Sequence, residues 1–320
     1  MSGALSEDAA PPALWSMHLA LMATMVVWAL NVTLIKWLVT VMDAMQSAAL
    51  RMGFAALALL VLVYVSRQRL PFFRGRVLLL ACGSAMLMVY GNQLLFVSAM
   101  TRTTASNAAL LLALNPLLNG VMEALFFRRR LGRLYLLGLG ITLLGVCLVI
   151  FSNPNTSWSA PALGDLLVLG SMLSFALGVV LLQLLSQRNA DHPGQVSLNT
   201  FIYTVGSLAL LLHIMLVGDV PMSAITEQPA SVWLILAFSG AGVTALGAIA
   251  WGRGVAFIGA GRAAVYMSWV PVLGVAFGAL VLKEPLTLWH GVALVAVVLG
   301  TALCNLDPAR LRRRNPLRRV

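Results

Sequence analysis

The sequence predicts an all-α membrane protein of ten transmembrane helices, arranged as two inverted five-helix repeats. Three observations lead to this prediction: an apolar composition, ten apolar stretches of spanning length, and an internal repeat. About 192 of the 320 side chains are apolar, whereas only 21 are basic and 10 are acidic. A soluble domain is nearer half apolar and a quarter charged, so the composition argues against a soluble enzyme or a nucleic-acid-binding protein. We expect a lipid bilayer as a partner and no nucleic acid.

The apolar stretches give the helices. A membrane-spanning helix needs roughly 20 apolar residues, and ten stretches separated by polar or Gly/Pro breaks come close to that length. The predicted helices are 17–38, 45–65, 77–97, 104–126, 134–152, 164–186, 196–217, 231–252, 262–282 and 287–305.

The basic residues predict the orientation. If the C-terminal tail is cytoplasmic, 17 of the 21 basic residues lie on the cytoplasmic side, and Lys36, Arg51, Arg102 and Lys283 lie elsewhere. Because Lys and Arg accumulate in cytoplasmic loops, both termini of this multi-pass protein are expected in the cytoplasm. The 17 residues are Arg67, Arg69, Arg74, Arg76, Arg128, Arg129, Arg130, Arg133, Arg188, Arg253, Arg262 and the six of the tail.

An internal repeat divides the chain. A shift of 155 residues superimposes Pro116 on Pro271 and Gly145 on Gly300, and a shift of 147 lays WALNVTLIK, from Trp28, on FALGVVLLQ. Five crossings are an odd number, so the second copy is inverted in the membrane. Inverted repeats are typical of secondary transporters, whose substrate site lies near the midplane between the halves.

The repeat also predicts the domain organisation. The parts are an N-terminal cytoplasmic tail over 1–16, a first repeat over 17–152, an outer linker over 153–163, a second repeat over 164–305 and a basic cytoplasmic tail over 306–320.

Four segments resemble a known family. They are WALNVTLIK followed by Ala49-Leu50-Arg51, ASNAALLLALNPLL, GDLLVLGSMLSFALGVVLL and YMSWVPVLGVAFGALVLKEPLT. Their order and spacing resemble the two EamA-type repeats of the drug/metabolite transporter superfamily over roughly residues 17 to 305. The resemblance implies a ten-helix carrier of the cell inner membrane, commonly an exporter of amino acids or related small metabolites.

One position departs from the family pattern. The family usually places a Glu thirteen residues after the proline of the repeat. Glu284 stands there after Pro271, whereas Arg129 holds the matching place after Pro116. Any role of that acidic turn can therefore be assigned to Glu284 only.

Polar and aromatic side chains inside the spans are candidates for lining a substrate cavity, because an amide or hydroxyl that faces lipid is unfavourable. For each one alone, a hydrogen bond that holds two helices together remains the alternative interpretation. The candidates are Trp28, Asn31, Tyr90, Asn92, Gln93, Asn115, Asn119, Thr244, Trp251, Tyr266, Ser268 and Trp269.

Two prolines and two cations complete the predicted site. Pro116 and Pro271 lie inside spans, where they free the carbonyl four residues earlier, so they are candidates for bends that permit gating or for static kinks. Lys36 and Arg51 are candidates for a gate or for attracting a carboxylate. The alternatives for both are snorkelling to the interface or pairing with Asp43.

The functional hypothesis from sequence is a secondary transporter that carries a small-molecule substrate by alternating access. No Walker A motif is present. A membrane-embedded lipid-modifying enzyme and a non-transporting scaffold are the alternatives, but no catalytic cluster, metal site or cofactor motif is found. Asp165 is expected to cap the sixth helix. A small-residue motif, Gly274 and Gly278, is one surface through which a homodimer could form.

Overall fold

The structure is a computed structural model that describes residues 14–127, 132–151, 160–188, 194–218, 221, 223–258, 266–267 and 269–305. Within these ranges every regular element is a helix. The first half of the chain, residues 14–151, contains α1 (Leu14–Val41), α2 (Ala44–Val65), α3 (Gly75–Met100), α4 (Ala105–Phe126) and α5 (Arg133–Phe151). The second half, residues 160–305, contains α6 (Ala160–Arg188), α7 (Gln195–Leu216), α8 (Ala230–Ala237, Phe238–Leu246 and Gly247–Ile258 in succession), α9 (Trp269–Leu282) and α10 (Leu288–Asn305). A short helix, Ser223–Thr226, precedes α8.

The helices have the length and composition of membrane spans. In the described ranges seven helices are long and apolar enough to cross a membrane, and shorter apolar stretches of α5, α9 and α10 bring the number to ten. The prediction of an all-α membrane protein is therefore confirmed.

Side chains fix where some of the helices begin. The Asp43 carboxylate accepts a hydrogen bond from the backbone N–H of Gln46 at 2.9 Å and so caps α2. Thr104 does the same for α4, because its hydroxyl accepts from the N–H of Asn107 at 3.1 Å. Such caps satisfy N–H groups that the first turn of a helix leaves without a partner.

The helix packing follows the repeat. Three of the large contacts, α2 with α7, α4 with α9, and α5 with α10, join equivalent helices of the two halves. The remaining large contacts come in matched pairs, since α1 packs on α8 and α9 just as α6 packs on α3 and α4. If the two halves are exchanged, every one of these contacts therefore falls on itself or on another of the set, as expected for a duplicated five-helix unit.

The third helix of each half contains a π-helical segment. In α3 it covers Met86–Gly91, and in α8 it covers Phe238–Leu246. A π turn shifts the backbone register, so that some carbonyls no longer meet the usual N–H donors, and such turns recur at functional sites. Their equivalent places in the two halves make them a property of the repeat.

The first of the two repeat prolines stands at a break in its helix. Helix α4 is interrupted at Ala113 and Leu114, whose N–H groups donate to the carbonyls three residues earlier, and a second segment, Asn115–Phe126, begins just before Pro116. The sequence predicted a bend here and the structure has a break, because proline supplies no N–H to the carbonyl of Leu112. Pro271 is buried in α9, and its part in a bend stays a prediction.

Helices α2 and α8 approach each other most closely at Gly240. A Cβ atom at Gly240 would lie 2.1 Å from the carbonyl oxygen of Arg51 and 2.8 Å from Cβ of Phe54. Because the first of these atoms is backbone, a side chain could be accommodated only if the two helices moved apart.

Gly240→Ala is accordingly expected to destabilise the protein by about 1–3 kcal/mol, the usual range for overpacking. The measurement is the melting temperature of the detergent-solubilised protein. Gly53→Ala is the matched control, because a Cβ atom at Gly53 has no neighbour within 4 Å. Equal melting temperatures for the two variants would contradict the close approach.

Candidate functional site

Hydrogen bonds to the two π segments connect the halves. The indole Nε1 of Trp28 in α1 donates to the carbonyl of Val243 in α8 at 3.2 Å. The repeat offsets relate this pair to Phe175 and Met88, and one residue before each of these the hydroxyl of Ser174 in α6 donates to the carbonyl of Leu87 in α3 at 2.8 Å. Each π segment thus receives a side-chain donor from the first helix of the opposite half. We call these two contacts the clasps.

A second pair of contacts lies beside the clasps. The hydroxyl of Ser84 in α3 donates to the carbonyl of Gly178 at 2.8 Å, and that of Ser239 in α8 donates to Oδ1 of Asn31 at 2.5 Å. Ser84 and Ser239 are 155 residues apart, and Asn31 and Gly178 are 147 apart, which are the two offsets of the sequence repeat. The contacts are therefore equivalent, although the partner is a backbone group in one and an amide side chain in the other.

Four predicted cavity residues meet where α1 crosses α8. Trp28 and Asn31 make the contacts given above, and the ring of Trp251 lies 5.8 Å from that of Trp28. The hydroxyl of Thr244 donates to the carbonyl of Ser239 at 2.9 Å. The structure thus brings these residues together, and each polar one also holds helices or backbone in place.

The candidates of α3 face α6 and α7. Asn92 donates to the carbonyl of Ser171 in α6 at 2.9 Å, and Gln93 donates to Asn92 at 3.2 Å. The hydroxyl of Tyr90 is 2.9 Å from Nδ1 of His213 in α7. The side-chain oxygen of Gln93 is buried and has no hydrogen-bond partner.

Helix α4 places two further amides in the interior. The side-chain oxygens of Asn115 and Asn119, which stand at the start of the second segment of α4, are buried and without partners. A buried polar atom left unpaired costs about 1–3 kcal/mol, so such atoms are suited to receiving a ligand or water. The side chain of Pro116, between them in sequence, lies outside the described residues.

The candidates of α9 are dispersed. The hydroxyl of Tyr266 is 2.6 Å from Nδ1 of His18 near the start of α1, and Trp269 is 47% exposed. Ser268 lies outside the described residues. Tyr266 packs against Leu21 together with Trp251. A cavity role for all twelve candidates stays a prediction.

The two predicted cations have different environments. Lys36 donates to the carbonyls of Met100 and Thr103, both at 2.7 Å, and so binds oxygens at the C-terminal end of α3. Arg51 is 2% exposed, and its Nε donates to the hydroxyl of Ser239 at 2.8 Å. Neither pairs with Asp43, which caps α2 instead. The proposed pairing of Lys36 or Arg51 with Asp43 is therefore wrong.

Glu284, which follows α9, bridges to α4 at one end of the bundle. Its two carboxylate oxygens accept from the N–H groups of Ala105 and Ser106, at 2.7 and 2.9 Å, and from the hydroxyl of Ser106 at 2.6 Å. These groups form the first turn of α4, where a negative charge is favourable. Glu284 therefore joins the second half to the first, and we call its contact with α4 the latch.

A hydrogen-bonded chain lies next to the latch. The hydroxyl of Thr103 donates to one oxygen of Asp165, and the amide of Asn107 donates to the other at 3.4 Å. Nδ1 of His290 accepts from the N–H of Thr287 at 3.1 Å, which leaves Nε2 to donate to the Asn107 oxygen at 3.2 Å. The chain joins α4 to α6 and α10 at the same end of the bundle.

The prediction that Asp165 caps α6 is wrong. Helix α6 begins at Ala160, five residues earlier, so Asp165 lies inside the helix. Its side chain is 2% exposed and points across to α4 rather than to its own backbone.

Helix α9 packs on α4 through Gly274 and Gly278, where added Cβ atoms would lie 2.4 Å from Ala109 Cβ and 2.5 Å from Ser106 Oγ. The small-residue motif is thus occupied within the chain.

Sequence reasoning missed Ser239, Asn107 and His290. Ser239 had one available signal, because the shift of 155 residues lays it on Ser84. Asn107 and His290 had none, since their contacts join residues 58 and 183 positions apart.

Comparisons with known proteins agree with this architecture. The EamA-like transporter family matches residues 15–151 and 162–306, once in each half. The uncharacterised transporter YyaM of Bacillus subtilis is 25% identical over 271 residues, which are 83% of this chain and 86% of the relative. The uncharacterised protein PA1977 of Pseudomonas aeruginosa is 31% identical over 265 residues, or 82% of this chain and 85% of the relative. One crystal structure matches 93% of this chain and 99% of its own at 18% identity, with a TM-score of 0.63. The expected resemblance is thereby confirmed, and the chain belongs to the EamA-like transporter family.

Proposed function

We propose that the protein is a secondary transporter that exports small metabolites, amino acids or related compounds, by alternating access around a cavity between the two halves. The family is one of membrane transporters rather than enzymes, so the lipid-modifying alternative is set aside. Two matched halves that face each other are the usual plan of transporters in which one repeat rocks against the other.

The observation that carries the proposal is the pair of clasps. Both join the first helix of one half to a π segment of the other, so both are crossings between bodies that would have to move. Each donor adds a side-chain hydrogen bond to a carbonyl of a π segment, and at Leu87 this bond comes beside the one from the backbone N–H of Asn92. A motion that keeps these bonds and pivots about them opens one end of the bundle while it closes the other.

The latch supports the same interpretation at one end. Glu284 and the Asp165–Asn107–His290 chain join the ends of α4, α6, α9 and α10, which belong to different halves. In the orientation that the basic residues predict, this end faces away from the cytoplasm. An exporter closed at its outer end is ready to load from the cytoplasm. A homodimer is not required by this mechanism.

The purified protein in lipid vesicles is expected to move at least one radiolabelled amino acid down its gradient, faster than protein-free vesicles do. Pro116→Ala and Asn119→Ala should change the rate without preventing membrane insertion, because they alter the break of α4 and an unpaired interior amide. Gly53→Ala serves as the control and should transport like the unmodified protein. Flat uptake across a full panel of amino acids and amines would contradict the proposed substrate class.

Glu284→Ala is expected to loosen the latch. Hydrogen bonds to a charged group contribute roughly 1.5–3 kcal/mol, so their loss should raise amide exchange in residues 105–112 by about tenfold or more. Hydrogen–deuterium exchange read by mass spectrometry measures this directly. Glu227→Ala removes the same charge from an exposed position at the same end of the bundle and should leave that exchange unchanged. Equal exchange in both variants would show that Glu284 does not hold α4.

A further inference from the structure

Arg51 is a buried cation with unused hydrogen-bonding capacity. It lies seven residues into α2, about 10 Å from the latched end of the bundle, and is 2% exposed. Its Nε donates to Ser239, but its Nη1 is buried and has no hydrogen-bond partner. The guanidinium carries five N–H donors in a fixed fork, so the contact with Ser239 leaves most of them available.

No carboxylate neutralises this charge within the part of the chain that the structure describes. Asp43 caps α2, and Asp165 is bonded to Thr103 and Asn107 next to the latch. The phenol of Tyr203 in α7 lies near the guanidinium. A buried charge without a counter-ion is strongly unfavourable, and the usual remedy is an anion at hydrogen-bonding distance.

Packing alone does not require an arginine here. Arg51 faces Gly240 across α2 and α8, and the equivalent crossing in the other half joins Gly206 to Ala85. Arg51 and Gly206 are 155 residues apart, and so are Ala85 and Gly240, so Gly206 occupies the position equivalent to Arg51. The equivalent crossing of the other half therefore forms with a glycine, which has no side chain, at the position of the arginine. The arginine breaks the symmetry of the repeat at an interior position.

The surroundings of Arg51 come from both halves. Ser239 of α8 and Tyr203 of α7 belong to the second half, and Asn31 of α1, which accepts from Ser239, belongs to the first. A group bound to the guanidinium would therefore lie between the bodies that alternating access moves apart. Binding at such a place is sensitive to the state of the transporter.

We propose that the guanidinium of Arg51, oriented by Ser239, binds the carboxylate of the transported metabolite. The inference rests on the proposed function and narrows its substrate class to compounds with a free carboxylate. The planar fork of arginine matches a carboxylate through two parallel hydrogen bonds, a geometry that lysine cannot reproduce. Motion of the halves exposes the guanidinium for loading and buries it again during transfer.

The test compares acids with their esters in lipid vesicles that contain the full chain. The probes are the twenty L-amino acids, their methyl esters and the corresponding decarboxylated amines, each as a competitor of the best transported amino acid. The unmodified protein is expected to prefer the acid over its ester and its amine by roughly 10- to 100-fold, as for a hydrogen bond to a charged group. Arg51→Gln should reduce that preference to near unity.

Three variants keep the test decisive. Arg51→Lys should retain part of the preference, because the charge remains but the fork is lost, and Ser239→Ala should weaken it with the charge intact. Arg253→Gln removes an exposed cation from α8 and should leave the preference unchanged. If Arg51→Gln does not fold, Arg51→Lys and Ser239→Ala still give the preference ratio.

The outcomes separate the inference from the proposed function. If acids, esters and amines compete equally for transport, the carboxylate site is wrong but the proposed transport function stands. The same conclusion follows if Arg51→Gln keeps the full preference for acids, or if Arg51→Lys does so where Arg51→Gln does not fold. Absence of transport for every acid, ester and amine overturns both.

Discussion

Backbone polar groups inside a bilayer have no water to bind, and the fold depends on satisfying them within the protein. In the π segments of α3 and α8, this satisfaction also joins the two halves, because one carbonyl of each segment accepts a side-chain hydrogen bond from the opposite half. The donors are Trp28 and Ser174, and at Leu87 the side-chain bond comes beside the one from the backbone N–H of Asn92. The local irregularity of each helix thus lies at a contact between the halves.

This arrangement concentrates the scarce polar groups between the halves. From the second half, Glu284 binds N–H groups at the start of α4, and Asp165 reaches α4 from α6, whereas Lys36 binds carbonyls within the first half. The apolar outer faces contribute little that is specific to one arrangement, since lipid is as apolar as leucine. Directional hydrogen bonds between the halves, such as those of Glu284 and Asp165, are therefore what specifies this arrangement.

The helices and the repeat could be predicted from sequence, because both depend on the length of apolar stretches and on matched residues along the chain. The shift of 155 residues even relates Ser84 to Ser239, whose contacts are equivalent in the structure. The π segments could not be predicted, since their residues have the same apolar character as an ordinary helix. The chain from Asp165 to His290 could not be predicted either, because each member alone has a simpler local role. Arg51 was identified as a candidate, but only the structure shows that its Nη1 lacks a partner.

The central claim is that the two halves move against each other about the clasps. Distances between spin labels measure this most directly, with one pair at the latched end, Arg102 and Leu286, and one at the opposite end, Val65 and Arg253, all on exposed side chains. The account predicts two populations for each pair, with the distance at one end increasing as that at the other decreases when a transported amino acid is added. A single unchanged distance at both ends, in vesicles that transport, would contradict it.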